Sequence, residues 1–190
     1  VFIGLPNIDN TLIDLRLKHS GLLGRDLKSY VSGGQDVLRK FGYISVNADF
    51  YGMLSDFRTD GHFVTNIGKI ETDLYFKTAR ESYRGFLKTD SLNLGVLLDL
   101  PQYVQYINID GEINGRGLSV QNADFQLDAK IDRLGVMGYE YRDIYADGHI
   151  KQKLFEGELN VNDPNLRLNI NGEINFADSL DRFRRGEMII

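Results

Sequence analysis

The chain reads as all-β: a long antiparallel sheet curled into a U-shaped hydrophobic trough, with one short helix. Three observations predict this. Apolar and polar residues alternate over run after run, residues with a helical period are few, and 20 glycines with only 3 prolines suit strands joined by tight turns.

The alternation is cleanest in the second half. From Ile107, INIDGEING sets Ile107, Ile109, Gly111 and Ile113 against Asn108, Asp110, Glu112 and Asn114. ADFQLDAKID groups Ala123, Phe125, Leu127, Ala129 and Ile131, and LRLNINGEINF groups Leu166, Leu168, Ile170, Gly172, Ile174 and Phe176. A period of two puts each group on one face of a strand, with the polar residues on the other. The same template fits Ile13-Leu15-Leu17, Ile44-Val46-Ala48-Phe50, Ile70-Thr72-Leu74-Phe76 and Phe155-Gly157-Leu159-Val161. Gly33-Gly34, Asp60-Gly61, Asp147-Gly148 and Asn162 to Asn165 are the expected turns between roughly ten strands.

One segment departs from the pattern. Asp90-Ser91 before LNLGVLLDLPQY predicts a short capped helix over 90–100, ending before Pro101, with Leu92, Val96 and Leu97 or Leu98 on one side. So short a helix must pack on the sheet, and it cannot cover ten strands.

The apolar face must still be hidden from water. A two-sheet sandwich, a closed barrel and a trough all satisfy the period. Gly111, Gly157 and Gly172, with Ala48, Ala123 and Ala129, fall on the inward phase and favour the trough, because small residues leave room. The other reading of these glycines is that they mark bulges and bends.

Composition bounds function. The net charge of −5, with Lys and Arg scattered, offers no basic stripe for nucleic acid. Cysteine is absent, which removes disulfides and thiolate chemistry. His19, His62 and His149 share no ligand spacing, so no metal site, cofactor or catalytic residue is expected. Asp60, Asp147 and Asp163 read as turn residues, and Gly111 to Gly117 as a strand end and turn without the helix that a phosphate cradle needs. Tyr139, Tyr141 and Tyr145 suit either packing with a wet hydroxyl or a sugar or lipid-head contact. Arg182, Arg184 and Arg185 face either solvent or acidic lipid.

Four segments carry a resemblance. SYRGFLKTDSLNLGVLL (Ser82 to Leu98), INGRGLSVQNADFQLDAKIDRL (Ile113 to Leu134), GYEYRDIYADGHI (Gly138 to Ile150) and FEGELNVNDPNLRLNINGEINF (Phe155 to Phe176) together resemble the TamB/AsmA-like proteins of Gram-negative bacteria, in the form found in Bacteroidetes. The likeness is best over 44–176. It implies that 1–190 is one β-taco segment of a longer repetitive chain, anchored in the inner membrane and extending through the periplasm. It further implies transfer of phospholipid between membranes, a link to outer-membrane assembly, and an Omp85-type barrel as partner. The rival expectation is a self-filled β-sandwich with a structural or adhesive role.

If the trough holds acyl chains, its lining is expected at Ile109, Ile113, Phe125, Leu127, Ile131, Phe155, Leu159, Leu168, Ile170 and Ile174. Each buried methylene would contribute about 0.8 kcal/mol. Sliding along a uniform groove exchanges one apolar contact for another, so tight holding and easy movement are compatible.

Overall fold

A computed structural model describes residues 2–3, 11–29, 35–119 and 121–175. They form one open antiparallel sheet of eleven strands in which spatial order equals sequence order. The strands are β1 (Phe2–Ile3), β2 (Leu12–Leu23), β3 (Tyr43–Met53), β4 (Asp56–Thr65), β5 (Gly68–Lys77), β6 (Ser82–Asp90), β7 (Val104–Arg116), β8 (Asp124–Val136), β9 (Tyr139–Lys151), β10 (Leu154–Asp163) and β11 (Leu166–Asn175). Consecutive strands pair through short connections, the simplest way to satisfy backbone groups without crossovers. All the described strands belong to this single open sheet, so among them there is no second sheet to make a two-sheet sandwich. Phe176, the Gly33-Gly34 turn and the arginines at 182, 184 and 185 lie outside the described residues.

Register explains how the sheet curls. One inward row crosses it through Leu17, Ala48, Gly61, Thr72, Leu87, Gly111, Ala129, Ala146, Leu159 and Ile170. From β3 to β9 nothing in this row except Leu87 is larger than threonine. On the concave side of a bend, side chains converge, and only small ones fit the crease. Bulk returns on the flanks: Phe57, Phe76, Tyr83, Phe125 and Phe155 on one wall, Phe63, Ile70, Ile131, Ile144 and Val161 on the other.

The convex side shows the complement. The row that follows the crease on the outer face runs Asp49, Asp60, Asp73, Phe86, Glu112, Asp128, Asp147 and Glu158. Like charges directly opposite one another are ordinarily unfavourable in a sheet. Here outward curvature splays them, and Arg16 pairs with Asp49 at 2.9 Å and Arg58 with Asp73 at 2.6 Å.

Two expected turns are corrected. Asp60-Gly61 lies in the middle of β4 and Asp147-Gly148 in the middle of β9. Gly61 is the crease residue opposite Ala48, where a side chain would collide with that alanine; its small size serves close approach, not chain reversal. Gly111 faces Ala129 under the same constraint. Gly61 and Gly111 therefore leave no free room, whereas Gly172 faces open space; none of the three marks the bulges, which fall between Leu17 and Ser20 and between Val104 and Ile109. Asp163 does organise its turn. Buried, it accepts hydrogen bonds from the Tyr139 hydroxyl (2.7 Å), the Arg142 amide (2.9 Å) and the Asn165 amide (2.9 Å).

The helix before Pro101 forms, but over Leu94–Leu98 (α2), shorter than 90–100. Its cap is Asn93, whose side chain accepts from the Val96 amide at 2.9 Å; neither Asp90 nor Ser91 caps it. Asp90 instead ends β6 and pairs with Lys69, and Leu92 forms a bridge to Ile107, so the backbone there is still committed to the sheet. A further short helix, α1 (Gln35–Phe41), and a 3-10 turn at Gly24–Ser29 lie between β2 and β3. Lys40 on α1 donates to the Leu97 carbonyl (2.9 Å) and to Asp99 (2.8 Å), which ties the two helices together at one rim.

Candidate functional site

The concave face of β2–β5 forms an apolar cavity of about 510 Å³ that is open to solvent on one side. Its floor is the crease and its neighbours: Leu15 and Leu17 on β2, Phe50 on β3, Thr59 on β4, Thr72 and Leu74 on β5. Leu27, Leu38 and Phe41, from the 3-10 turn and α1, lean over it from one rim. Met53, Phe57 and Phe76 close it from the other. Ile44 and Met53, at opposite ends of β3, both touch this one space. Along an extended strand these two residues stand about 30 Å apart, so the cavity runs the length of β3.

Aromatic rings make up much of the wall. Phe50–Phe57, Phe57–Phe76 and Phe76–Tyr83 are neighbours at 6.1, 5.8 and 6.3 Å between centroids, and Tyr83 reaches Phe125 at 6.4 Å. That last contact spans from β6 to β8 over Gly115, whose missing side chain lets the rings meet. Tyr83 donates its hydroxyl to the Gly117 carbonyl at 3.0 Å, and burial pushes its pKa up to about 12. It is a fixed, neutral part of the wall.

The cavity is nearly without polar chemistry. Thr59 and Thr72 line it, and their hydroxyl oxygens are covered by neighbouring atoms and lack a hydrogen-bond partner. Among the described residues no group of three or more His, Asp or Glu side chains is arranged to hold a metal ion. His62 is exposed near Glu71, and His149 sits 2.7 Å from Asp124, whose carboxyl His149 and Arg116 hold below the usual range. Such a site offers apolar surface and dispersion contacts on a face still open to solvent.

All ten residues expected to line the groove fall on the concave face. Leu159 and Ile170 lie in the crease row, with Ile113 and Leu127 in the next. Phe125, Phe155 and Ile174 belong to the wall beyond, and Ile109, Ile131 and Leu168 to the opposite wall. None of them touches this cavity. Leu127, Ile131 and Phe155 are buried against their neighbours, whereas Leu168, on the last strand, is exposed.

The cavity's own residues were only partly visible in the sequence. Ile13, Leu15, Leu17, Phe50, Leu74 and Phe76 sit in recognised alternations. Phe57, Thr59 and Phe63 do not, because reading Asp60-Gly61 as a turn cut β4 in half. Taken uninterrupted, FRTDGHFVT alternates without a break and would have placed them. Leu38 and Phe41 come from a helix that lacks a long period. Tyr139 and Tyr141 meet edge-to-face at 4.7 Å, away from this cavity.

Comparison with known protein families, with curated proteins and with solved structures finds no match to this chain.

Proposed function

We propose that the concave face holds lipid acyl chains, and that the chain works as a periplasmic segment of a TamB/AsmA-like bridge. In this reading phospholipid passes between inner and outer membranes along a hydrophobic groove, the full protein is anchored in the inner membrane, and an Omp85-type barrel receives it. The observation that carries the lipid part is the 510 Å³ cavity of hydrocarbon and aromatic walls, within the roughly 300–1,000 Å³ of small-molecule sites. The bridge, its location and its partner rest on the four resembling segments alone.

The physical argument is one of unfilled apolar surface. The cavity walls Leu15, Leu74, Phe57, Phe63 and Phe76 are only half-buried although they face the interior of the fold. Covering them with methylene groups gains about 0.8 kcal/mol each, and nothing in the cavity directs a fixed orientation. The charged convex face keeps the loaded segment in water. No helix among the described residues is long and apolar enough to cross a membrane, and the inner-membrane anchor belongs to the resemblance alone.

The test is purification of the chain without detergent, followed by native mass spectrometry. Bound phospholipid is expected, and Leu74→Asp should release it while circular dichroism still reports the sheet. A folded wild-type chain that carries no lipid and takes none from vesicles would overturn this reading in favour of a structural module.

A further inference from the structure

We propose that the ligand of this trough is an anionic amphiphile, with its acyl chain in the apolar cavity and its negative head group in a cationic pocket on the adjoining rim. The inference rests on the reading that the cavity holds acyl chains; it adds which head groups are preferred and which residues choose them.

Two spaces share one turn. Thr78–Arg80 is a 3-10 turn that follows β5. Thr78 lines the apolar cavity, and Arg80 lines a separate open pocket of about 330 Å³. A 3-10 turn rises only about 2 Å per residue, so the two spaces are adjacent. Tyr83 stands between them. Its ring stacks on Phe76 of the cavity wall at 6.3 Å, and its hydroxyl is held by the carbonyl of Gly117, a residue that lines the second pocket. An acyl chain that ends at Thr78 presents its head group to this pocket.

The pocket gathers cations from three stretches of sequence: Arg80 after β5, Arg116 at the end of β7 and Lys151 at the end of β9. Its two carboxylates are already engaged. Asp124 accepts from Arg116 at 3.1 Å and meets His149 at 2.7 Å, and Glu81 accepts from the Asn122 side-chain amide at 3.1 Å. Arg80 is exposed and forms no ion pair with a described residue. Three cations against two carboxylates leave the pocket positive, against the net charge of −5 of the whole chain.

The opposite rim differs. Leu27, Leu38 and Phe41 lean over the cavity there, and the cations of α1 are taken: Arg39 pairs with Asp36 at 2.7 Å and Lys40 with Asp99 at 2.8 Å. A charged head group beside those apolar side chains would lose hydration without gaining a partner. The amphiphile is therefore oriented, with its head group at the Arg80 rim.

Vesicles of equal parts phosphatidylglycerol and phosphatidylcholine with identical acyl chains test this. The 190-residue chain is incubated with them and separated, and its bound lipid is quantified by mass spectrometry. Bound phosphatidylglycerol should exceed phosphatidylcholine about fivefold, the discrimination that one or two exposed charge pairs give. Arg80→Gln and Lys151→Gln should each bring the ratio towards one, and a ratio is insensitive to any loss of folded chain. Lys77→Gln removes a nearby cation that pairs with Asp56 and lies outside the pocket, and it should leave the ratio as in the wild type. Bound lipid without preference, or a ratio that Lys77→Gln lowers as far as Arg80→Gln does, would overturn the proposal and leave acyl-chain binding standing. No bound lipid of either kind would remove the acyl-chain reading and this inference with it. Inorganic phosphate bound by the lipid-free chain in calorimetry, and lost in Arg80→Gln while that variant keeps the lipid ratio, would assign the pocket to a free anion instead.

Discussion

Strands β2–β5 and strands β7–β10 share one face, one register and one alternation, yet they use their inward side chains differently. In β7–β10, Leu127, Ala129, Ile131, Ile144, Ala146, Phe155 and Val161 are buried against one another. In β2–β5 only Ile44, Val46 and Ala48 form such a buried cluster, and the phenylalanines and leucines around them are half-buried and border open space. The difference lies in size and in what stands over the sheet. Aliphatic side chains interdigitate across a narrow crease, as in Ile131-Ile144-Val161. Phe50 and Phe63, with Leu27 and Phe41, pack around the Ile44-Val46-Ala48 cluster, while Phe50, Phe57 and Phe76 also meet ring to ring along a wall beside open space. One architecture thus contains a packed stretch and a hollow one.

The sharpest way to break this comparison is a pair of truncations. Ile131→Ala should cost about 3 kcal/mol, since it leaves a void among packed neighbours. Leu74→Ala, at a wall already facing space, should cost about 1 kcal/mol, because it opens little new cavity. Urea unfolding of both variants decides; equal losses would mean that the two halves are packed alike.

Acid offers the next contrast. Burial alone would push the Asp163 carboxyl up, but hydrogen bonds from Asn165, Tyr139 and Arg142 hold it below the ordinary range. A depressed carboxyl stabilises the fold fully above the pH where an unfolded aspartate titrates, about 4, and loses that contribution as pH falls through the native value. Hydrogen exchange on stepping from pH 6 to pH 3 should therefore show β9–β11 losing protection before β2–β5. Asp163→Asn should unfold several degrees lower at pH 6 and show a smaller further loss at pH 3, read by thermal denaturation. Simultaneous loss of protection everywhere would show that the sheet opens as one unit.

The smallest effect concerns the hollow half. The Thr72 hydroxyl is covered and without a partner, and valine has the same shape. Thr72→Val should raise stability by about 1 kcal/mol, a few degrees in Tm, by removing an unsatisfied polar group. Unchanged or lower stability by calorimetry would show that the hydroxyl is satisfied in solution.

Strand content and facing were legible because period two is local: each residue's side follows from its neighbours along the chain. The same locality hid the role of glycine. Asp60-Gly61 and Gly33-Gly34 look alike in sequence, and a Gly after Asp is a sound turn signal. Gly61 is needed because Ala48, across the sheet, comes too close, and that proximity exists only after curling. The groove residues followed the same division. Their common face could be read strand by strand, but which of them would be packed and which would line space depended on partners far along the chain.

What the sequence by itself determined is an all-β chain with one apolar and one charged face, a short helix before Pro101, and the identity of the residues on each side. Those follow from short-range period and backbone propensity. The tertiary structure alone decided that a row of small residues becomes a crease, that aspartates at successive strands align along its convex side, and that a cavity opens over β2–β5. Each of these depends on register between strands and on curvature, and both are set by the sum of contacts across the sheet.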